Sequence, residues 1–373
     1  MAQLALENVT RHAPGASVAM HLAIVPDAVR MTIEDDGPGL GRTPAEAARA
    51  GWLYYAGGLT QDQIAIELGV SRQRAQRLVS RAVAEGLIHV RLNHRIGVCL
   101  DLEQALTERF NLTRCRVAPG LGATGDGVRA IASAAAGELE LFLRMEAPSV
   151  VAVGTGRALR GMVDAMEDGI VAGQHRLVSL IGNIAPDGSA SFFDVVMRLA
   201  DKVHAPHYPM PVPVISPTPE ENAAFHALTP VRKVVDLARA ADVIFVGIGQ
   251  MSNDAPLLKD GFVSRAELDE MQADGAVGEV AGWVYNAEGR YLDLGTNRRT
   301  GGVRVEPGLD RPSIGIAAGE TKVPAIRGAL LARIVNGLVT DEPTARALLA
   351  CSAILAKALA SWMAMSARAL RSS

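Results

Sequence analysis

Four short apolar runs, each breaking off at a glycine-containing turn, constrain this chain most. They are Ser149–Val153 before Gly154-Thr155-Gly156-Arg157, Leu177–Ile181 before Gly182-Asn183, Asp242–Val246 before Gly247-Ile248-Gly249, and Pro312–Ile316 before Ala317-Ala318-Gly319. None alternates apolar with polar residues, so each reads as a strand buried on both faces, as in a parallel sheet. Helical stretches such as Ala158–Met166 and Val323–Asn336 supply the crossovers. The pattern predicts an α/β domain. Ligands in such sheets sit beyond the carboxyl ends of the strands, so the glycine turns point at one shared crevice.

The residues at those turns suggest a chemistry. Gly154, Thr155 and Gly156 offer backbone N–H groups at a helix start, which suits a phosphate or another anion. Arg157 adds a guanidinium fork, and Lys322, at a second helix start, a point charge. Asn183, Gly247 and Gly249 end neighbouring strands and join the candidate set. Glu279 precedes a hairpin whose turn is expected at Asn286–Gly289. It either accepts sugar hydroxyls or is a solvated strand charge, and the residues leave both readings open. Leu159 stands where a G-x-G-x-x-G fingerprint needs its third glycine, which disfavours a nucleotide switch, and no cofactor is expected. His204 and His207 lie among Pro206, Pro209, Pro211 and Pro213, read as an extended structural loop rather than a metal site. Ser216–Pro219 is likewise a loop, leading into a helix from about Glu220. No G-x-S-x-G elbow occurs, and no catalytic residue is assigned.

A second pattern lies near the N-terminus. In Leu59–Leu92, Thr60 with Gln63 forms a capping box, so a helix starts at Gln61. Ile64, Ala65 and Leu68 mark its buried face, Gly69 stops it, and Val70 packs inward. Ser71 caps a second helix running from about Arg72 to Glu85. Ala75, Leu78, Val79 and Ala82 form its apolar side. Its outer side carries Arg72, Gln73, Arg74, Gln76, Arg77 and Arg81. Arg pairs bidentately with guanine and Gln with adenine, while further arginines neutralise phosphate. Thr60, Gln61, Ser71, Arg72, Gln73, Arg74, Arg77 and Arg81 are therefore the candidate DNA contacts. Leu87–Leu92 alternates like a strand, as in a winged helix-turn-helix. Residues 43–57 form a preceding helix, capped by Thr43, with Trp52, Leu53, Tyr54 and Tyr55 as its core. The plainer alternative is a basic surface helix on an ordinary α-domain.

Charge supports the DNA reading. Arg42 to Arg95 holds eight arginines and no lysine against four acidic residues, although the whole chain carries −3. A basic module on an acidic body is the footprint of a sequence-specific binder. Aromatics make up only 4%, which argues against a base-stacking single-strand platform. Cys99, Cys115 and Cys351 are widely spaced and fit a reducing cytoplasm. No run reaches membrane-spanning length, and no signal peptide is evident. The expected organisation is a loosely ordered leader over 1–41, a DNA-binding domain over 42–95, a hinge over 96–115 with a helix near Leu102–Phe110, and an effector and oligomerisation domain over 116–373.

Together the two halves resemble the SorC family of transcriptional regulators, the DeoR/CggR-like sugar-binding group, from about Arg42 onward. The stretches that carry the resemblance are YYAGGLTQDQIAIELGVSRQRAQRLVSRAVAEGLIHV, VAVGTGRALRGMVDAM, ADVIFVGIG, GAVGEVAGWVYNAEGR and IAAGETKVPAIRGALLARIVNGLVTDEPTARALL. The resemblance implies a Rossmann-like effector domain similar to sugar-phosphate isomerases and deaminases, with a mostly parallel sheet. It implies a homotetramer on double-stranded operator DNA. It also implies a phosphorylated sugar or polyol effector held by Gly154, Thr155, Gly156, Arg157, Glu279 and Lys322. Two positions depart from the family pattern, Ala158 and Ala318-Gly319, and both favour a nonphosphorylated polyol. The reading is an effector-controlled regulator of a carbohydrate operon and not an enzyme. The alternative is a sugar-phosphate isomerase or deaminase carrying a DNA module.

Overall fold

The computed structural model describes residues 18–25, 28–35, 42–88, 97–122, 126–189 and 195–350. The chain divides into two units, Met1–Arg91 and Leu92–Ser373.

In the first unit, β1 (Val18–Val25) pairs antiparallel with β2 (Ala28–Asp35), Val25 lying opposite Ala28. Residues 18–35 thus form a hairpin where a loosely ordered leader is expected, and both strands are rich in the β-branched and apolar residues that favour pairing. Three helices follow: α1 (Arg42–Tyr55), α2 (Gln61–Leu68) and α3 (Arg72–Ala84). Thr60 and Gln63 make both hydrogen bonds of the capping box on α2, and Gly69 ends that helix in the left-handed conformation at φ 63°. The core is Ala47, Ala50, Ile64, Ala65, Ala75, Leu78, Val79 and Ala82. The aromatic cluster expected to fill it does not. Trp52 is 67% exposed and Tyr54 and Tyr55 are exposed, while Leu53 packs only at the edge. The helices approach too closely for rings. A Cβ on Gly51 would lie 2.4 Å from Ile88 Cδ1 and 2.8 Å from Ala82 Cβ. Leu87 and Ile88 pack against this core; the rest of the expected wing strand, from His89 on, lies outside the described residues.

The second unit opens with α4 (Gly97–Phe110), β3 (Arg114–Ala118), α5 (Gly127–Leu143), β4 (Val150–Val153), α6 (Arg157–Asp164), β5 (Arg176–Ile184) and α7 (Val195–Val203). It continues through β6 (His207–Pro213), α8 (Pro219–Ala227), α9 (Thr229–Arg239), β7 (Val243–Gly247), β8 (Gly249–Gln250), α10 (Pro256–Lys259) and α11 (Arg265–Ala273). Then come β9 (Ala276–Val280), β10 (Trp283–Asn286), α12 (Gly295–Arg299), β11 (Ser313–Ile316), α13 (Val323–Leu331) and β12 (Gly337–Asp341). Residues 342–350 are helical.

The main sheet has seven strands in the order β3-β12-β11-β7-β4-β5-β6, all parallel. The chain winds outward from β4 through β5 to β6, then returns to the other side of β4 with β7. The order therefore reverses between β4 and β7. Val150–Val153 and Ser313–Ile316 are buried at every position, as continuous apolar strands require. Ala152, Val178, Leu180 and Ile244 face one core; Val151, Val153, Phe245 and Ile316 face the other. Each of the valine, leucine, isoleucine and phenylalanine side chains contributes about 1.5–3 kcal/mol when taken fully from water.

Several expectations change here. The expected hinge over 96–115 is part of the body: Cys99, Leu102, Leu106, Phe110 and Cys115 are buried in the first core. The helix expected to run to Asn336 stops at Leu331, after which Arg333 adopts a positive φ of 56°. Gly337–Asp341 then inserts as β12 between β3 and β11. A short apolar run is ambiguous between helix and strand on periodicity alone, and pairing on both sides decides it. His207–Pro213 is a strand rather than a loop. It occupies the sheet edge, where prolines lose no ladder bond. The described residues contain no cluster of metal-ligating side chains, nor a helix long and apolar enough to cross a membrane.

A small antiparallel sheet, β10-β9-β8, sits over the carboxyl end of β7. The β9–β10 hairpin turns at Ala281-Gly282, both at positive φ (51° and 82°), the geometry of a type I′ turn. The expected turn at Asn286–Gly289 also forms, closed by Gly289 N–H donating to Asn286 O at 2.8 Å, but as a second turn after β10.

Candidate functional site

In the first unit, α3 presents the arginine-rich side to solvent. Ser71 Oγ accepts from Arg74 N at 3.3 Å and fixes the helix start. Arg72, Gln73, Arg74, Gln76 and Arg77 are exposed, while Ala75, Leu78, Val79 and Ala82 are buried. Arg72 pairs with Asp62 at 3.3 Å and Arg74 with Glu46 at 2.8 Å. Exposed pairs of this kind are weakly held, so a phosphate or a base edge can replace the carboxylate. Arg81 is half-buried and tied to Glu85. Thr60 caps α2 and Gln61 begins it.

In the second unit, a cavity of about 470 Å³ opens where the strand order reverses. Gly154, Thr155, Gly156 and Arg157 after β4 line it, with Gly247 and Gly249 after β7, Glu279 on β9 and Lys322 before α13. Eight of the nine residues expected there are thus brought together. Asn183 is not among them. It lines a neighbouring hollow of about 10 Å³ with Gly154, Thr155 and Ile181, because it lies beyond Ile181 along β5.

The electrostatics differ from a simple anion hole. Arg157 Nη2 donates to Asp260 Oδ1 at 2.7 Å. Lys322 Nζ donates to Ile248 O at 2.9 Å. Glu279 Oε2 accepts from Gly282 N at 2.8 Å, which ties it to the type I′ turn. Its Oε1 lies over Gly249, where a Cβ would stand 2.1 Å away. Burial pushes the Glu279 carboxyl above its ordinary range, opposed by the Gly282 hydrogen bond and by Lys322. Burial pushes the Lys322 ammonium down, opposed by Glu279. The walls also hold Gln250, Asp254, Lys259 and Asp260, none expected from the sequence. Gln250 ends β8, and Asp254, Lys259 and Asp260 lie in or beside the short helix α10, where neither periodicity nor a motif points to a ligand. Three carboxylates and three cations therefore share the cavity. Carboxylates and carbonyls accept hydroxyl hydrogens, and Lys322 and the glycine N–H groups donate to hydroxyl oxygens.

A family model for a sugar-binding domain matches residues 94–350, and a MarR family model matches residues 40–95. The erythritol catabolism regulatory protein EryD of Brucella abortus (strain 2308) is 35% identical over 303 residues, covering 81% of this chain and 96% of that protein. The transcriptional regulator LsrR of Enterobacter sp. (strain 638) is 36% identical over 326 residues, covering 86% and 98%. The full-length sorbitol operon regulator SorC of Klebsiella pneumoniae superposes with a TM-score of 0.60 at 27% identity, covering 82% of this chain and 99% of that one. These relatives are regulators, which supports the regulator reading over the isomerase or deaminase alternative. With its helix-turn-helix module and its doubly wound sugar-binding domain, the chain belongs to the SorC family of sugar-binding transcriptional regulators.

Proposed function

We propose that this regulator reads operator DNA with the start of α3, acts in the cytoplasm as a homo-oligomer, most simply a tetramer, and responds to a short polyol or sugar. Thr60, Gln61, Ser71, Arg72, Gln73, Arg74, Arg77 and Arg81 serve the DNA. Gly154, Thr155, Gly156, Arg157, Gly247, Gly249, Glu279 and Lys322 serve the effector. The observation that carries the reading is the balanced charge of the 470 Å³ cavity at the switch point, where Arg157 is already engaged by Asp260. A balanced, hydrogen-bonding cavity fits a neutral hydroxyl-rich molecule. The 35% identity to a protein named for erythritol catabolism supports a polyol. The effector acts by binding one arrangement of the oligomer better than another, which shifts operator affinity.

A phosphate ester is the second reading. The observation in its favour is the run Gly154–Gly156 at the start of α6, whose N–H groups suit an oxyanion. Calorimetry with free polyols and with their phosphate esters separates the two. Glu279→Ala is expected to abolish polyol binding, and Arg157→Ala to leave it within a few-fold. Loss of ester binding in Arg157→Ala and Lys322→Ala, with no response to free polyols, would establish the phosphate reading instead. Unchanged binding of both ligands in all three variants would place the effector elsewhere. A single reading module covers few base pairs, so tight binding needs at least two spaced copies. The Ala- and Leu-rich C-terminal stretch from Thr344 to Leu370 offers apolar faces for joining subunits; its first residues belong to the helix over 342–350, and those from 351 on lie outside the described residues. Light scattering that showed a monomer with undiminished operator affinity would remove the oligomer.

A further inference from the structure

A second cavity, about 580 Å³, lies on the face of the main sheet covered by α9. Leu180 of β5 and Ile244 of β7 form its floor, Val235, Ala238 and Arg239 of α9 one wall, and residues 300–311 the other. It shares no lining residue with the effector cavity, yet the two are neighbours. Ile181 lines the effector cavity and Leu180 this one; Ala281 lines the first and Trp283 the second. One strand and one hairpin turn separate them.

The charges in this cavity are not balanced. Arg239, Arg304 and Arg311 face a single carboxylate, Glu306. Glu306 is already committed: it accepts from Arg304 Nε at 3.0 Å and from Arg304 Nη2 at 3.1 Å. The Arg304 guanidinium also lies 5.6 Å from the Trp283 ring centre and 5.3 Å from that of Tyr291, which locks it in place. No acidic side chain of the lining is left for Arg239 or Arg311. Arg311 Nε is buried with no acceptor among the described residues. A buried, unmet donor on a charged group is costly, and native structures keep few of them without a purpose. Guanidiniums over an apolar floor, beside a fixed aromatic ring, form a binding site for an oxyanion carried on a compact body.

We propose that this cavity is a second ligand site, taking a small phosphate- or carboxylate-bearing metabolite between Arg239 and Arg311. The apolar floor packs the body of the ligand, and the two guanidiniums take its charge. Such a ligand acts on the regulator separately from the polyol, through the wall that the two cavities share.

The test uses the full chain in chloride buffer, titrated with inorganic phosphate and separately with citrate. Trp52→Phe and Trp362→Phe leave Trp283 as the only tryptophan and the reporter. Saturable quenching is expected with at least one anion and not with chloride at matched ionic strength; the anion that saturates at lower concentration identifies the class. Arg239→Gln and Arg311→Gln should each weaken it about tenfold or more, while Lys322→Ala, in the other cavity, leaves it unchanged. Arg239 is exposed at the end of α9, so its variant keeps the fold, and circular dichroism checks this. The proposal fails if neither anion saturates, if both arginine variants bind as the parent does, or if Lys322→Ala alone removes the signal. It also fails if anions do nothing and Arg239→Gln changes the particle mass, since the cavity would then be a contact between copies.

Discussion

Glu279 shows how one side chain couples the cavity proposed for the effector to stability. Burial raises its carboxyl, so the folded chain holds this proton at pH values where the unfolded chain has released it. Stability contributed by this group therefore falls as pH rises through the window above the ordinary carboxylate range. Glu279→Gln removes that dependence. The stability of the variant relative to the parent should increase as pH rises from the ordinary carboxylate range toward neutrality, read by melting temperature across a pH series. A constant difference would mean that the carboxyl titrates normally. Gly249 tests the same carboxylate from outside. The Cβ of Gly249→Ala would meet Glu279 Oε1 at 2.1 Å and Cδ at 2.9 Å, so the carboxylate must swing away. The variant should fold and bind operator normally yet lose roughly tenfold in effector affinity, about 1.4 kcal/mol. Unaltered effector affinity would separate Glu279 from the ligand.

At the scale of the element, α3 is the part under most demand, because one face packs and the other is the one proposed to read DNA. Its packing face is small and its start depends on Ser71. Ser71→Ala removes the cap on Arg74 N and should cost about 1 kcal/mol, measured by denaturant unfolding of the first unit. Replacing Arg72, Arg74 and Arg77 together by alanine leaves the buried face intact. Operator binding should be lost and thermal stability nearly unchanged, since the ion pairs of Arg72 and Arg74 are solvent-exposed. A gel shift with normal operator affinity would mean that another surface reads the DNA. A single base-reading arginine is worth roughly 1–3 kcal/mol and relaxes specificity at one base pair. The β9–β10 turn is the corresponding element in the second unit: a tight I′ turn whose Gly282 N–H orients Glu279.

For the whole molecule, the two units have separate hydrophobic cores, so each ligand should stabilise its own unit. In calorimetric melting, a polyol effector at about 100 times its Kd should add about 2.7 kcal/mol to the effector unit, and excess operator should act on the helix-turn-helix unit. A single transition shifted equally by both ligands would instead show that the units melt as one.

What could be read from residue order was local and periodic. Capping boxes, alternation of buried and exposed positions on α3, and apolar runs ending in glycine depend on neighbours a few residues apart. They placed the DNA module, the parallel sheet and eight of the nine expected cavity residues. What needed the folded chain was long-range. Whether Gly337–Asp341 is strand or helix depends on β3 and β11 flanking it, more than two hundred residues and about twenty residues away in the chain. Trp52 stays outside because Gly51 meets Ile88 and Ala82 closely, a contact no periodicity announces. The partner of Arg157 is Asp260, 103 residues later, beside the short helix α10. Charge balance in a cavity is a sum over walls that only the tertiary fold assembles, and that sum, rather than any one motif, points to a hydroxyl-rich effector.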